Sequence, residues 1–209
     1  MTAGPTHEPI DAVRYIANRS SGRMGIALAL EGVTRGWHTT LLLGPVSVST
    51  PDNTNLAIHR FRTSDDLQNL LETHSRECDV LIMAAAVADY RPKTPRTTKM
   101  ARMDEGMSLE LEPVEDLIAR CARDKRDDQF FVGFALESRD ELESRGARKL
   151  QSKGLNMIVA NPLETMDAEE IEGLIIGSSE SQSGVEQVPP DTKESFARVL
   201  LDRVAQRLR

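Results

Sequence analysis

Apolar and polar positions follow two periods along this chain, one helical and one extended. Apolar residues recur at helical spacing over residues 24–35, and Gly36 follows where a helix could end. A β-rich stretch over Thr39–Leu43 comes next and stops at a Gly-Pro pair. Ser64 then opens a second helical repeat, and we predict that its side chain is the N-cap.

Three later runs are mostly apolar, as expected for buried strands of a parallel sheet. They cover residues 80–87, 130–135 and 156–161. Helical patterns occupy residues 115–125, 140–153 and 193–209. Strands that alternate with helices predict an α/β fold, a Rossmann-like three-layer sandwich with a mostly parallel central sheet. We expect a single domain over residues 1–209, because no internal repeat or second domain is visible.

Two segments show neither period. Residues 91–107 are rich in Pro, Lys and Arg and poor in apolar side chains, so we predict a mobile loop or an extended arm. Residues 178–192 are polar and include a Pro-Pro pair, and we predict a linker or the tip of a hairpin.

The composition is that of a soluble globular protein, with 39% hydrophobic and 28% charged residues. The net charge of −7 argues against nucleic acid as a partner, although local arginines and lysines still allow an anionic substrate. No apolar run approaches the ~20 residues of a membrane span, and the N-terminus lacks a signal-peptide core. Cys78 and Cys121 fit neither a metal spacing nor a disulfide framework, so we expect a cytoplasmic protein.

Two small-residue turns near the N-terminus, at residues 2–6 and 18–25, are candidates for an anion site. Each can open onto a helix, whose first backbone N–H groups attract phosphate or carboxylate. Asn18 offers an amide donor and a carbonyl acceptor, and Arg14, Arg19 and Arg23 bring positive charge to the same segment. Taken alone, turn glycines, a helix-cap asparagine and a solvated basic face remain open alternatives.

The predicted strand ends supply further candidates, because ligands of such sheets bind beyond the carboxyl ends of the strands. These candidates are residues 84–89, residues 133–137 and Asn161. Asp89 can receive a ribose or base donor or hold Mg²⁺. The alternative is that Asp89 caps a helix or pairs with an arginine of the arm.

Three lysines are candidates for phosphate contacts. Lys99 lies in the predicted arm, where closure over a phosphate would need a positive charge. Lys149 and Lys153 stand four residues apart, on one face of a predicted helix. The alternative for all three is a solvated surface position.

Several motifs, in this order, resemble the phosphopantothenate–cysteine ligase family, the ligase half of the bacterial bifunctional coenzyme A biosynthesis flavoprotein. The similarity runs from about Thr2 to Asn161 and is weaker beyond. The motifs are Thr2-Ala-Gly-Pro-Thr6, Glu8-Pro-Ile-Asp-Ala-Val-Arg14, Asn18-Arg-Ser-Ser-Gly-Arg-Met-Gly25, Ala85-Ala-Val-Ala-Asp-Tyr-Arg91, Gly133-Phe-Ala-Leu-Glu137 and Lys149-Leu-Gln-Ser-Lys153 with Val159-Ala-Asn161.

The resemblance implies a two-step reaction in coenzyme A biosynthesis. The carboxylate of 4′-phosphopantothenate attacks the α-phosphate of CTP and releases pyrophosphate, which leaves an acyl cytidylate. The amine of L-cysteine then displaces CMP and forms the amide. Mg²⁺ would accompany the triphosphate. Members are typically homodimers, with the arm near the partner subunit. No flavin is expected, because no flavin-binding decarboxylase half is present in this sequence. Whether the chain stands alone beside a separate flavin decarboxylase or is a fragment of a bifunctional protein stays open.

The resemblance also implies roles for individual residues. Asn18 and Lys99 would be catalytic, Asn18 by holding or polarising the acyl cytidylate. Arg14, Asn18, Ser20, Ser21 and Gly22 would bind the phosphopantothenate substrate. The nucleotide would be bound by Met83, Ala84, Ala85, Asp89, Lys99, Glu115, Asp116, Leu117, Ile118, Phe134, Lys149 and Lys153.

The chain also departs from the family pattern. Ala101 replaces a lysine of the arm, Asn156 replaces an aspartate, and Glu115 replaces a proline and adds negative charge near the proposed phosphates. Residues 162–177 lack the Gly-Phe segment that forms a hairpin in the family. Whether the nucleotide is CTP or ATP therefore stays open.

Two other functions remain as alternatives. One is a nicotinamide- or flavin-dependent oxidoreductase, against which the missing dinucleotide fingerprint counts. The other is a non-catalytic nucleotide-binding relative, which Ala101 and Glu115 motivate.

Overall fold

The computed structural model describes residues 1–49, 53–102, 106–178 and 184–208. Within these residues there are twelve strands, five α-helices and two short 3-10 turns, at Arg139–Glu141 and Leu163–Thr165. The strands and α-helices are, in chain order, β1 (Thr2–Ala3), β2 (Glu8–Pro9), β3 (Tyr15–Ile16), α1 (Arg23–Thr34), β4 (Thr39–Leu43), β5 (Leu56–Arg60), α2 (Ser64–Glu77), β6 (Val80–Met83), β7 (Tyr90–Pro92), β8 (Leu111–Pro113), α3 (Leu117–Arg123), β9 (Phe130–Glu137), α4 (Leu142–Ser152), β10 (Met157–Pro162), β11 (Glu170–Gly177), β12 (Val185–Thr192) and α5 (Lys193–Arg207).

A central sheet of eight strands has the order β12-β11-β10-β9-β6-β1-β4-β5. The pairs from β5 to β10 are all parallel, and only β10–β11 and β11–β12 are antiparallel. This arrangement confirms the predicted α/β fold with a mostly parallel sheet. The strand predicted over residues 80–87 is shorter than expected. It is β6 and ends at Met83, because the following alanines leave the sheet and enter a loop.

Helices cover both faces of the sheet and bury a core on each. On one face, α1 and α5 pack Leu28 and Phe196 against Ile82 and Val132, which are all buried. On the other face, α2, α3 and α4 contribute a second group, in which Phe131 of β9 is almost fully buried. The central strands are therefore apolar on both sides, which is why their sequences lack a polar alternation.

The prediction that Ser64 caps α2 is wrong by one residue. Thr63 is the N-cap, and its hydroxyl accepts a hydrogen bond from the Asp66 N–H at 3.1 Å. The Asp66 carboxylate in turn accepts from the Thr63 N–H at 2.9 Å, which completes a capping box. Ser64 is instead the first helical residue, and its N–H donates to the carboxylate of Glu8.

The sheet ends in a hairpin whose two strands were not predicted, although a hairpin tip was one of two expectations for residues 178–192. β11 and β12 pair antiparallel and bury Ile171, Ile175 and Val188. Residues 185–192 are therefore mostly strand, where we predicted a linker or hairpin tip, and residues 179–183 lie outside the described part. The hairpin forms although residues 162–177 lack the family's Gly-Phe segment, since the core needs only buried apolar side chains on alternate positions.

The predicted arm begins as a second hairpin, in which β7 pairs antiparallel with β8. Its outer part is fastened to the turn between β2 and β3. The Arg96 N–H donates to the Ile10 carbonyl at 3.0 Å, and the Met100 N–H donates to the buried carboxylate of Asp11 at 3.1 Å. Residues 103–105 of the arm lie outside the described residues.

Candidate active site

A cavity of about 690 Å³ opens at the carboxyl ends of β1, β6 and β9. The chain leaves β1 through α1 toward β4 on one side, whereas β6 lies on the other side of β1. Such a switch point leaves a crevice between the two loops, which is where open α/β sheets bind ligands. Most of the predicted site residues line this cavity: Asn18, Ser20, Ser21, Gly22, Met83, Ala84, Ala85, Asp89, Glu115, Asp116, Leu117, Ile118, Phe134 and Lys153.

Arg14, Lys99 and Lys149 do not line the cavity. Arg14 forms an ion pair with Asp11 at 3.5 Å and donates to the Met100 carbonyl at 3.3 Å, so its guanidinium braces the arm. Lys99 precedes Met100 in the same exposed stretch of the arm. In this arrangement both residues fasten or flank the arm, rather than face a ligand in the cavity.

Lys149 points to a different partner from the predicted phosphates. Its ammonium lies 2.6 Å from a carboxylate oxygen of Glu137, which is only 6% exposed at the end of β9. A buried carboxylate needs a cation, so this pair holds α4 against the sheet. Lys153, one turn further on, does line the cavity and pairs with Asp116 at 2.9 Å.

The start of α1 forms one end of the cavity. Gly22 is the N-cap residue and adopts a left-handed conformation with φ of 75°, which favours glycine. A Cβ atom on Gly22 would lie 2.6 Å from the Val46 side chain. No side chain caps the helix, and its first turn holds no acidic residue. The first N–H groups of α1 therefore face the cavity as donors for an anion.

Asn18 joins the two loops that form the cavity. Its side-chain amide donates to the Val87 carbonyl at 2.9 Å, in the loop after β6. The hydroxyls of the buried residues Thr2 and Thr6 accept from Ala85 and from the loop's last alanine, each at 3.0 Å. These bonds fix the loop after β6 relative to the Asn18 segment, so that the exposed amide is held in one place.

The opposite wall begins at the N-terminus of α3. Asp116 is the N-cap and accepts from the Ala119 N–H at 3.1 Å. Glu115 was expected to add negative charge, but Arg120 and Arg123 donate to its carboxylate at 3.0 and 2.8 Å. The hydrogen bonds from Arg123 and Arg120 lower the pKa of Glu115. Two guanidinium groups thus compensate the negative charge of Glu115, which stands where the family has a proline.

A third wall comes from the end of β10, from the connection between β10 and β11 and from α5. The sequence had indicated Asn161 in this wall, but neither the connection nor Lys193. Asn161 donates to the Thr165 hydroxyl at 2.7 Å, and both residues line the cavity. Arg19 pairs with Asp167 at 3.1 Å. Lys193 is buried in the same wall and donates to the Ala168 carbonyl. No pattern in the sequence marks this lysine, because its burial depends on a contact with the distant loop.

Among the described residues, no three His, Cys, Asp or Glu side chains come together as a metal cluster. Asp89 is exposed at the cavity, and a single carboxylate suits Mg²⁺ that is held mainly by substrate phosphates.

None of the helices in the described residues has both the length and the apolar character needed to cross a membrane.

The family model of the DNA/pantothenate metabolism flavoprotein C-terminal domain matches residues 1–208. The chain belongs to this family. This membership confirms the resemblance to the family that the motifs between Thr2 and Asn161 indicated.

Curated relatives of this flavoprotein domain are longer proteins. The Coenzyme A biosynthesis bifunctional protein CoaBC of Bacillus subtilis (strain 168) is 39% identical over 168 residues, which are 80% of this chain and 41% of that protein. A protein of an unknown prokaryotic organism, called Cysteine/Cysteine sulfinic acid decarboxylase, is 43% identical over 164 residues, which are 78% of this chain and 45% of that protein. The chain spans about half the length of the curated relatives it matches.

Solved structures agree with the flavoprotein-domain fold. The C-terminal domain of a Coenzyme A biosynthesis bifunctional protein CoaBC superposes with a TM-score of 0.83 and 32% identity, over 99% of this chain and 93% of that one. A Cab2 mutant in complex with phosphopantothenate-cysteine has a TM-score of 0.79 and 16% identity, over 98% of this chain and 85% of that one. At that identity the second likeness shows the fold alone.

Proposed function

We propose that this chain is a phosphopantothenate–cysteine ligase of coenzyme A biosynthesis. The observation that carries the proposal is convergence: motifs scattered from Asn18 to Lys153 line one cavity at the switch point of the sheet. The relatives named CoaBC, which are bifunctional coenzyme A biosynthesis proteins, support the same activity. The substrates are 4′-phosphopantothenate, L-cysteine and CTP.

In the first half-reaction, a carboxylate oxygen of 4′-phosphopantothenate attacks the α-phosphorus of CTP. A new O–P bond forms, the bond to the β-phosphate bridge breaks, and pyrophosphate leaves. The chain contributes by binding and orienting the phosphates, with the uncapped N–H groups of α1 at one end and Lys153 at the other. Mg²⁺ would neutralise charge on the triphosphate, with Asp89 as the protein group that holds it.

In the second half-reaction, the amine of cysteine attacks the acyl carbon of the acyl cytidylate. A C–N bond forms, the C–O bond to CMP breaks, and the amine loses a proton. Asn18 is the group that we assign to this step, because its amide is held between the two loops by the bond to Val87. Because the amide is neutral, it can hold the mixed anhydride without repelling the phosphate.

We propose that the ligase is a homodimer. Exposed apolar side chains gather on the β2–β3 and β7–β8 hairpins, including Val13, Tyr15, Tyr90 and Leu111, which are 43% to 59% exposed. The two hairpins contact each other, since the arm is fastened to Asp11. A second copy covering this patch would bury it.

The reaction is tested by pyrophosphate release with CTP and Mg²⁺, with 4′-phosphopantothenate and L-cysteine added separately and together, and with ATP in place of CTP. We expect CTP-dependent release that needs phosphopantothenate. If no pyrophosphate is released with either CTP or ATP, the proposal is refuted. The absence of flavin absorbance and of NADPH binding, measured on the same sample, separates the ligase from an oxidoreductase. Nucleotide binding without turnover would favour a non-catalytic relative.

The role of Asn18 is tested with Asn18→Asp, which keeps the shape of the side chain and adds negative charge. We expect the variant to form acyl cytidylate and release pyrophosphate, but to make the amide at least 100-fold more slowly, which corresponds to about 2.7 kcal/mol. Rapid-quench separation of the two steps measures both rates. Equal loss in both steps would show instead that Asn18 serves binding or folding.

A further inference from the structure

Lys193 is a buried lysine in the cavity wall that neither the motifs nor the proposed reaction uses. It is the first residue of α5, its surface is 6% exposed, and it lines the cavity. Lysine is almost never this buried unless its charge is paired. Its ammonium donates to the Ala168 carbonyl, which is its only hydrogen bond to the described residues. Two of its three donors are therefore free for a ligand.

A second cation and a helix N-terminus lie near Lys193 in the cavity wall. Arg23, the first residue of α1, also lines the cavity, and its charge acts on Lys193. Burial first, and repulsion by Arg23 second, lower the pKa of Lys193, whereas Asp167 and Glu194 oppose this shift. Asp167 is already paired with Arg19 at 3.1 Å, and Arg23 lies 4.0 Å from the exposed carboxylate of Glu169. The uncapped N-terminus of α1 adds its partial positive charge to the same wall.

We infer that Lys193 is a phosphate-binding residue, which acts with Arg23 and the first turn of α1 on a phosphoryl group of a substrate. The inference rests on the proposed function, which brings two phosphorylated substrates to the cavity. A phosphoryl group carries nearly two negative charges and three strong acceptor oxygens. It therefore matches two cations and a helix N-terminus better than a carboxylate would, and it offers acceptors to both unused donors of Lys193.

The cavity then has one cationic position in each helical layer. Lys193 and Arg23 belong to α5 and α1, on one face of the sheet. Lys153 immediately follows α4, on the other face, and sits beside Asp116. Two separate positions suit a reaction that must hold a nucleotide and a phosphorylated acid at once. The phosphoryl group at Lys193 comes either from CTP or from 4′-phosphopantothenate, and binding experiments distinguish these sources.

The experiment is isothermal titration of each ligand separately, with Mg²⁺ present for CTP, on wild type and Lys193→Met. Methionine keeps the unbranched stem but removes the charge. We expect one ligand to bind at least tenfold more weakly and the other to stay within about twofold, which identifies the source. Lys125→Met is the matched control, since Lys125 also donates to a backbone carbonyl, that of Gly154 at 2.8 Å, and does not line the cavity. It should bind both ligands as wild type does.

Proton uptake is a second measurement that a purely structural role would not change. Binding of an anion raises the pKa of Lys193, so wild type should take up a fraction of a proton at alkaline pH, where the phosphate is already fully ionised. Titrations in two buffers with different ionisation enthalpies measure this uptake. Lys193→Arg keeps a charge that does not titrate. It should bind with similar affinity and without the uptake.

The outcomes separate this inference from the proposed function. Unchanged affinity for both ligands in a folded Lys193→Met variant would overturn the role of Lys193 alone. If Lys193→Met does not fold, the arginine variant decides: proton uptake that persists there excludes Lys193 as its source and overturns the inference. If wild type itself binds neither CTP nor 4′-phosphopantothenate, the proposed function fails first and the assignment fails with it.

Discussion

The position of α1 over β1 should control both stability and turnover, and Gly25→Ala tests this. Gly25 lies in the first turn of α1, where a Cβ atom would be 2.5 Å from the Ala3 Cβ and 2.5 Å from the Thr2 carbonyl oxygen. Contacts of this kind are relaxed at roughly 3.5 Å or more. The start of α1 would therefore have to move by about 1 Å, because one of the two neighbours is backbone and cannot rotate away.

Two effects of opposite sign set the expected magnitude. Overpacking costs about 1–3 kcal/mol, whereas alanine favours a helix over glycine by about 1 kcal/mol. We expect a net loss of up to about 2 kcal/mol in the free energy of unfolding, and a melting temperature lower by up to about 8 °C for a chain of this size. The same shift of about 1 Å moves the N–H groups of α1 relative to the reacting atoms, which can cost about 100-fold in rate.

Urea denaturation and the pyrophosphate-release assay measure the two effects, with Gly32→Ala as the control in the same helix. A Cβ atom on Gly32 would meet the Thr39 hydroxyl at 2.9 Å and the end of Met1 at 3.2 Å, which are side-chain atoms, and Gly32 does not line the cavity. It should lose less stability and keep its turnover. A Gly25→Ala variant with wild-type stability and rate would refute this reasoning. Loss of stability alone would show that the reaction tolerates displacement of α1.

Two further predictions concern ion pairs. Lys149→Met should lower the free energy of unfolding by about 1 kcal/mol, discounted for the exposure of the lysine, because it leaves the buried Glu137 with only Arg145 among the described residues, at 3.5 Å. In titration calorimetry, Lys149→Met should bind CTP within twofold of wild type, whereas Lys153→Met should bind it about tenfold more weakly. The opposite pattern would show that Lys149, and not Lys153, contacts the phosphates. Glu186 accepts hydrogen bonds from Arg203 that lower the pKa of its carboxyl. The pair should therefore stabilise the folded state fully above the usual glutamate pKa of about 4.3, and this stabilisation should be lost as the pH falls through the lower pKa of the folded state. The melting temperatures of wild type and Glu186→Gln should differ at pH 7 and converge in acid, and a difference that does not change with pH would contradict this.

The sequence predicted the elements whose patterns are local. Thr39–Leu43 has the predicted bounds, and the apolar runs at β6, β9 and β10 fall in the centre of the sheet. Burial on both faces removes polar residues from a strand, so that the pattern reports its place directly. The motifs from Asn18 to Lys153 also predicted residues that line one cavity, since in a parallel sheet the loops after the strands emerge at the same edge.

Only the tertiary structure decided how distant side chains are paired. Lys149 and Lys153 are equivalent in the sequence pattern, yet one meets the buried Glu137 and the other meets the cavity. Lys193 reads as a polar residue at the start of a helix, and it is buried only because the β10–β11 connection folds over it. Periodicity reports which face of an element is covered. The partner that covers it depends on strand order and on the path of the loops, which no local pattern contains.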